Sequence, residues 1–203
     1  MIINKKSAEL VGIILGDGSI AIYKSEKYST YYALKITLSS EEKEYINYVS
    51  KLICEVLNEK PIIKPRKKEK AIDIFVFKKN IILNLLDFGL KKAPKWERAI
   101  IPDSLINKKY GKYVLRGYFD TDRSVVITKN GNKLYPRLEM KISPSPMQKQ
   151  FQELLNFYDF NYGTHNIGKG KVRIQMNGLK ELNKWKKHIG FSNKKHINKS
   201  SRF

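Results

Sequence analysis

The chain has 203 residues, and its 40 Lys and Arg outnumber its 19 Asp and Glu, which gives a formal net charge of +21 at pH 7. A charge of this size favours a polyanionic partner, with nucleic acid ahead of a membrane surface. The sequence has no run of about 18 apolar residues, and Asp17 interrupts the apolar stretch near its start, so neither a membrane span nor a signal peptide is expected.

The first predicted element is an apolar helix that ends at Asp17, with Ser7 as a plausible N-cap. Gly12 and Gly16 lie four residues apart on one face of this helix, so another backbone can approach closely there. The helix dipole disfavours a carboxylate at the C-terminal end, where Asp17 lies. A compensating cation is therefore expected at this end, and a metal ion is one candidate.

The rest of the first half alternates short strands with helices. Apolar and polar residues alternate with period two in the strands, and acidic residues open the long helix. In chain order the sequence predicts strands at 19–24 and 31–38, a helix to about residue 58, a basic strand and turn within 60–70, a strand at 71–77 and a helix at 79–88.

The first helix recurs about a hundred residues later, over residues 114–122. The two copies align with Gly12 on Gly117, Gly16 on Thr121 and Asp17 on Asp122. Two such helices can pack small face to small face, which brings the two carboxylates side by side. Carboxylates that close repel each other unless one is protonated or divalent cations lie between them.

The elements after the second copy follow the same order as in the first half. The sequence predicts strands at 125–128, 137–143 and 171–177, helices at 146–157 and 179–188, and a basic, partly disordered tail from 192 to 203. We therefore expect an α+β fold of two pseudo-symmetric αββαββα halves, at residues 1–93 and 111–203, with a connection at 94–110. The two acidic helices would pack at the interface, and the saddle-shaped antiparallel sheets would face DNA.

These two helices resemble the paired motifs of single-chain LAGLIDADG homing endonucleases of the archaeal intron-encoded type. The first copy matches the motif at Leu10, Gly12, Ile14, Asp17 and Gly18. The second copy keeps Leu115, Gly117, Asp120 and Asp122, but it has Arg123 where the family has glycine. Because the surrounding layout also repeats, the resemblance covers nearly the whole chain.

The resemblance implies a monomeric, site-specific endonuclease that depends on Mg²⁺ or Mn²⁺. It would cut both strands of a long asymmetric double-stranded DNA target and leave 3′ overhangs. Asp17 and Asp122 would bind the metal and carry the chemistry, with the backbone carbonyls of Gly16 and Thr121 as further ligands. Lys35 and Lys141, which follow their motif aspartates at similar distances, are the candidates for polarising phosphate or orienting water.

Outward-facing strand residues are candidates for reading base edges in the major groove. The alternative for any one of them is a solvated position on an amphipathic sheet. By alternation, and with the basic segment of the first half included, the candidates are Lys35, Thr37, Lys64, Arg66, Lys68, Arg137, Glu139, Lys141, Lys171, Arg173 and Gln175. The charge is uneven, with 18 basic against 11 acidic residues through Lys95 and 22 against 8 beyond it.

Arg123 has two interpretations. A residue after a helix end often takes a positive φ, which Arg tolerates poorly, so Arg123 could tilt Asp122 and weaken cleavage. Alternatively, Arg123 places a cation beside the phosphate as a DNA contact.

Among the remaining residues, Cys54, the single cysteine, excludes an internal disulfide and a cysteine-based zinc site. We expect it to pack as a small apolar residue in a helix, in an intracellular protein. The histidines His165, His188 and His196 are expected at the surface. Most tyrosines are expected in the core or at its boundary. Three others could stack on sugars or bases: Tyr23, Tyr31 and Tyr32.

A second function class keeps the fold without catalysis, as in an RNA-splicing maturase that binds intron RNA. The presence of both Asp17 and Asp122 argues against it, because binding alone does not need two facing carboxylates. An endonuclease domain embedded in an intein finds no support, since no splicing cysteine and no terminal His-Asn pair frame the sequence.

Overall fold

The computed structural model describes residues 1–24, 29–122, 124–130 and 133–203, with residues 122 and 130 described by their backbone only. The tip of the first predicted hairpin, the predicted turn at 131–132 and Arg123 lie outside the described residues.

The first half follows the predicted order of elements. Its helices and strands are α1 (Lys5–Asp17), β1 (Gly18–Lys24), β2 (Thr30–Ser39), α2 (Lys43–Leu57), β3 (Ile62–Pro65), β4 (Ala71–Val76) and α3 (Lys79–Asp87). A single 3-10 turn, Asp103–Leu105, lies in the predicted connection.

The second half repeats this order and adds one helix at the end. Its elements are α4 (Gly111–Asp122), β5 (Ser124–Asn130), β6 (Lys133–Ile142), α5 (Met147–Asn156), β7 (Gly163–Asn166), β8 (Val172–Asn177), α6 (Gly178–His188) and α7 (Lys194–Ser200). The α+β fold with two antiparallel sheets is thus confirmed. The division at residues 93 and 111 stays a prediction about folding units.

The two four-stranded sheets have the same topology, β1-β2-β4-β3 and β5-β6-β8-β7, with antiparallel pairing throughout. One face of each sheet is apolar and packs on the helices, and the other face is open. Helices α1 and α4 pack against each other at the centre of the molecule, and their buried residues join both sheets into one core. Among the described residues, no helix is both long and apolar enough to cross a bilayer.

Three local expectations are wrong. The N-cap of α1 is Asn4, whose side chain accepts hydrogen bonds from the backbone N–H of Lys6 and Ser7, so Ser7 lies inside the helix as the partner in a capping box. Cys54 is exposed on α2, because it lies on the solvent side of that amphipathic helix. The C-terminal tail forms α7, and His196 on it is fully buried.

Candidate functional site

The contact between α1 and α4 depends on glycine at two reciprocal positions. A Cβ added to Gly12 would lie 2.3 Å from the carbonyl oxygen of Val114, and one added to Gly117 would lie 2.2 Å from that of Glu9. Each residue of α1 corresponds to the residue 105 positions later in α4. The two contacts are therefore related by the same pseudo-two-fold axis, and neither helix tolerates a side chain there.

Gly16 and Thr121 meet on that axis, at the C-terminal end of the pair. A Cβ on Gly16 would lie 2.1 Å from Oγ1 of Thr121, and that hydroxyl donates a 2.8 Å hydrogen bond to the carbonyl of Tyr118. Asp17 and Asp122 follow directly, so both helices end at the same end of the pair. The Asp17 side chain is half-buried, whereas the structure describes Asp122 only by its backbone.

Gly18 is required for space rather than for an unusual backbone angle. Its φ is −83°, an ordinary extended value, but a Cβ there would lie 2.5 Å from Cα of Ile14. Gly18 is the residue of the first motif that matches Arg123. The positive φ that one interpretation of Arg123 assumes is therefore not found at this position. Whether Arg123 tilts Asp122 or faces phosphate stays a prediction, because Arg123 is outside the described residues.

Lys95, which the sequence did not single out, lies at this end of α1. Its Nζ is 2.9 Å from the carbonyl oxygen of Ile14, 2.8 Å from that of Leu15 and 3.1 Å from that of Gly16, and it donates to all three. The last turn of α1 contains no basic residue of its own. A lysine from the connection thus supplies a cation where the helix dipole and Asp17 both require one.

The only sequence signal for Lys95 was the uncompensated charge at the end of α1. A lysine in an irregular connection has no periodicity that would distinguish it from the many others in this chain. The connection is held in place by a 2.8 Å hydrogen bond from the backbone N–H of Ala93 to the carbonyl of Ile20 on β1. Lys95 reaches α1 through this tertiary contact.

The donors at this end suit a hard cation such as Mg²⁺, which binds one or two carboxylates together with substrate phosphates and water. Asp17 offers a half-buried carboxylate. Among the described residues, no group of three or more His, Cys, Asp and Glu could hold a metal. Beyond Asp17 and the predicted ligand Asp122, whose side chain lies outside the described residues, further ligands would come from DNA and water. The Gly16 carbonyl already accepts from Lys95, although a carbonyl oxygen has two lone pairs.

The predicted equivalence of Lys35 and Lys141 is wrong. Lys35 lies opposite Ser19, the second residue after α1. In the other half, the second residue after α4 is Ser124, which lies opposite Glu139. Lys35 and Glu139 therefore occupy equivalent positions in the two sheets, and Lys141 lies two residues beyond Glu139 on β6. The offset arises because Ser124 and Glu139 are one residue closer in sequence than Ser19 and Lys35.

Some of the predicted DNA-contact residues of the first half are hydrogen-bonded within the protein, and others are exposed. Nε and Nη2 of Arg66 donate to the Asp73 carboxylate at 2.9 and 3.0 Å, and the Thr37 hydroxyl donates to it at 2.7 Å. Burial raises the pKa of Asp73, but these hydrogen bonds outweigh it and hold the pKa below its usual range. Arg66 and Thr37 are therefore hydrogen-bonded to Asp73 on the open face of the sheet, whereas Lys64 and Lys68 are exposed.

The corresponding residues of the second half lie on neighbouring strands of one open face. The pairing sets Glu139 opposite Gln175 and Lys141 opposite Arg173. Nε of Arg137 is 2.6 Å from the Glu139 carboxylate. Lys171 precedes β8, and its Nζ lies 5.6 Å from the centroid of the Trp96 ring.

A buried polar cluster at the other end of the helix pair was missed. Glu9 on α1 is 2% exposed and forms a salt bridge with Arg116 of α4. Its carboxylate also accepts hydrogen bonds from Tyr48 at 2.7 Å and from Ser192 at 2.6 Å. Burial, followed by the charge of Glu9, raises the pKa of Tyr48. The cluster joins α1, α2, α4 and the C-terminal segment, so its role is structural.

The C-terminal segment docks on α4 through a second buried carboxylate. Asp120 accepts hydrogen bonds from the backbone N–H groups of Ser192 and Asn193, yet burial raises its pKa well above the usual value. His196 packs against the rings of Phe119 and Phe191, and burial lowers its pKa to about 3. His165 and His188 are exposed, so the surface prediction is wrong for His196 alone.

Comparison with known proteins gives a family match and two related sequences. The model of the LAGLIDADG DNA endonuclease family matches residues 8–109, half of the chain. A DNA polymerase of Methanocaldococcus jannaschii is 24% identical over 164 residues, 76% of this chain and 9% of that protein. A DNA polymerase of Thermococcus kodakarensis is 22% identical over 198 residues, 90% of this chain and 11% of that protein. The chain thus spans about a tenth of the length of these curated relatives.

Solved structures with the same fold include several DNA complexes. I-DmoI in complex with DNA and Mn is 19% identical, with a TM-score of 0.67, over 92% of this chain and 96% of that one. The LAGLIDADG meganuclease I-AabMI bound to uncleaved DNA is 12% identical, with a TM-score of 0.65, over 97% of this chain and 88% of that one. At these identities the likeness establishes the fold.

Proposed function

Because the chain belongs to the LAGLIDADG DNA endonuclease family, we propose that it is a site-specific homing endonuclease that hydrolyses both strands of a long asymmetric DNA target. The observation that carries this proposal is the reciprocal contact at Gly12 and Gly117. That contact requires two helices, each ending in an aspartate, to lie backbone to backbone. Two acidic helix ends at one place, between two open sheet faces, suit the cutting of two strands and the production of 3′ overhangs.

The proposed catalytic centre is built on Asp17 and Asp122, which would hold Mg²⁺ or Mn²⁺. A bound divalent ion supplies Lewis-acid activation of water and of the scissile phosphate. Lys95 fixes the last turn of α1 and keeps positive charge near the approaching phosphate. Because all three N–H donors of Lys95 bind carbonyl oxygens of α1, we assign it the role of orienting Asp17 and supplying positive charge, and Lys35 and Lys141 remain the candidates for polarising phosphate.

The open faces of the two sheets are the proposed DNA-binding surface. The net charge of +21 supplies attraction to phosphate, and the second half contributes more of it than the first. The first and second motif lie in one chain and their helices pack within it, which supports action as a monomer on genomic DNA.

Cleavage of a plasmid library in Mg²⁺ tests this proposal. We expect the wild type to linearise a subset of targets with 3′ overhangs, and Asp17→Asn to bind the selected duplex without cutting it. The matched control is Asp87→Asn, the same substitution at an exposed aspartate on α3, which should cut normally. Duplex or RNA binding by the wild type without any cleavage would overturn the nuclease and favour the maturase.

A further inference from the structure

The open face of the first sheet is largely apolar. Tyr23 and Tyr31 are paired across β1 and β2, and their rings stack with centroids 5.4 Å apart. Further along the same face, Phe75 and Phe77 stack at 5.2 Å, and Ile62 lies beside Phe75. Four of these side chains are 42–52% exposed, although large apolar groups in adjacent positions normally pack against something.

Three of these positions have no apolar side chain on the second sheet. By strand register, Phe75 corresponds to Gln175, Phe77 to Asn177 and Ile62 to Gly163, whereas Tyr31 corresponds to Tyr135, which is also exposed. Both sheets have the same topology. The difference therefore lies in what each face contacts and not in how each sheet folds.

Ammonium groups lie among the aromatic rings of the first sheet. Nζ of Lys64 is 5.9 Å from the Phe75 ring centroid, and Lys35 is paired with Phe75 on the neighbouring strand. The carboxylate on this face, Asp73, is neutralised by Arg66. An uncharged apolar partner would have to desolvate these lysines without compensation. The surface instead fits a partner that is both polyanionic and locally apolar.

The major groove of duplex DNA has this combination wherever thymine is present. Thymine carries a C5-methyl group in the groove, and apolar side chains contact it, whereas guanine presents two acceptors that suit Arg. We propose that the first half reads a thymine-rich half-site through the methyl groups, with Phe75, Phe77, Ile62, Tyr23 and Tyr31 as the specificity-determining residues. This inference rests on the proposed function, because it requires DNA on the sheet faces.

The strand register locates the expected thymines. Phe75, Phe77 and Tyr31 lie level with the residues two, four and six positions after Asp17, the last residue of α1, counted along β1. A strand rises about 3.3 Å per residue, close to the roughly 3.4 Å per base pair of DNA. A strand that follows the groove would thus place methyl contacts at about two to six base pairs from the centre of the target.

The first step of the test identifies the half-sites. Targets are selected from a random library with the wild type and with Arg173→Ala, a substitution on the second sheet. The half-site whose base preference changes with Arg173→Ala belongs to the second sheet, and the other belongs to the first. We expect thymine at several of the two-to-six positions in the first half-site, on either strand.

The second step replaces each of those thymines by deoxyuridine, which removes the methyl group and keeps every hydrogen-bonding group. Binding is measured in EDTA so that the duplex stays intact. We expect about fourfold weaker binding for each replacement, the factor that corresponds to burial of one methyl-sized group. Deoxyuridine in the second half-site is the DNA control and should change affinity less than twofold.

The third step links the effect to the protein. Phe77→Asn, which installs the residue found at Asn177, should lose the preference for thymine over deoxyuridine at one position. Leu83→Asn replaces an apolar residue of similar exposure on α3 and should keep the preference. The five proposed specificity-determining residues form one apolar patch, and Tyr31 lies at its outer end. Tyr31→Ser provides the same test if Phe77→Asn does not fold.

Two results would overturn the inference while leaving the nuclease intact. One is a selected first half-site without thymine at these positions, and the other is equal affinity for thymine and deoxyuridine duplexes. A dimer in sedimentation that Phe77→Asn dissociates would assign the patch to a second copy of the chain and would also overturn it. Failure of the proposed function is distinguishable, because it appears as the absence of cleavage in Mg²⁺, which the binding measurements in EDTA do not require.

Discussion

Lys95 concentrates positive charge at the helix end where the sequence predicted a cation. Its three hydrogen bonds involve the carbonyls of residues 14–16, directly before Asp17. Because Lys95 fixes the last turn of α1 and puts a positive charge at the end that carries Asp17, we predict that Lys95→Met slows cleavage on the order of 100-fold, as loss of one preorganised charged donor does. Single-turnover cleavage of the selected target measures this effect.

The stability of Lys95→Met separates a catalytic from a structural effect. The substitution takes one hydrogen-bonded cation away from the end of α1, so the free energy of unfolding should fall by about 1–3 kcal/mol. Lys95→Arg keeps the charge and should retain more activity. Cleavage by Lys95→Met at the wild-type rate would remove Lys95 from the proposed site.

His196 makes the stability of the fold depend on pH. Its folded pKa of about 3 lies below its ordinary value, so the folded state holds the ring neutral. The stability from this group is complete above the unfolded pKa of about 6.5 and is lost as pH falls toward 3. At pH 4.5 the loss should reach about 2–3 kcal/mol relative to pH 7.5, measured by urea unfolding.

The matched variant is His196→Phe, which keeps a ring between Phe119 and Phe191 and leaves no polar atom unpaired. Neither ring nitrogen of His196 has a hydrogen-bond partner among the described residues, so the variant should be at least as stable at pH 7.5. Asp120 acts in the opposite direction, because its raised pKa stabilises the fold as pH falls. Asp120 contributes equally to the wild type and to His196→Phe, so its contribution cancels when their free energies of unfolding are subtracted. An equal pH dependence in both proteins would contradict the assignment.

At the scale of elements, the α1–α4 pair depends on the absence of side chains. Gly117→Ala would place a Cβ 2.2 Å from a backbone carbonyl oxygen, which cannot move without separating the helices. We predict a loss of about 1–3 kcal/mol in the free energy of unfolding, as for overpacked cores, and a larger loss of cleavage because both helix ends move. Thermal unfolding and cleavage of the selected target measure the two effects.

Gly163→Ala is the control for this prediction. Its added Cβ would approach only Nε2 of His165, at 3.1 Å, on a side chain that can rotate away. It should leave stability within about 0.5 kcal/mol of wild type, as surface substitutions do. Equal effects of the two substitutions would show that Gly117 is not a special contact.

The helix pair was predictable from sequence because it depends on local pattern: apolar periodicity, two small residues and a terminal acid, repeated once. The strand register was not predictable in the same way. The hairpin of the second half is one residue shorter than that of the first, so Lys141 does not occupy the position equivalent to Lys35. Helix α7 was also missed. It is seven residues long and rich in lysine, and its position depends on the burial of His196, which only the tertiary structure supplies.

At the scale of the whole molecule, the C-terminal segment connects the two halves. The side chain of Asn193 is buried and donates to the Asp120 carbonyl at 3.0 Å and to the Glu42 carboxylate at 2.7 Å. Lys195 and Lys194 add salt bridges to Glu42 and Glu44 at the start of α2. The segment therefore ties the first half to α4 of the second, independently of the α1–α4 contact.

We predict that Asn193→Ala lowers the free energy of unfolding by about 2–4 kcal/mol, because a half-buried carboxylate oxygen and a buried carbonyl both lose a donor. Since the lost contacts join the halves, the urea transition should also broaden, with the second half unfolding first. With the other tryptophan, Trp96, replaced by Phe, fluorescence of Trp185, which packs on Phe119, follows that half, and far-UV circular dichroism follows the whole chain. Asn198→Ala, at an exposed position on α7, should unfold in one transition. Coincident transitions with unchanged midpoint in Asn193→Ala would mean that α1 and α4 alone hold the halves together.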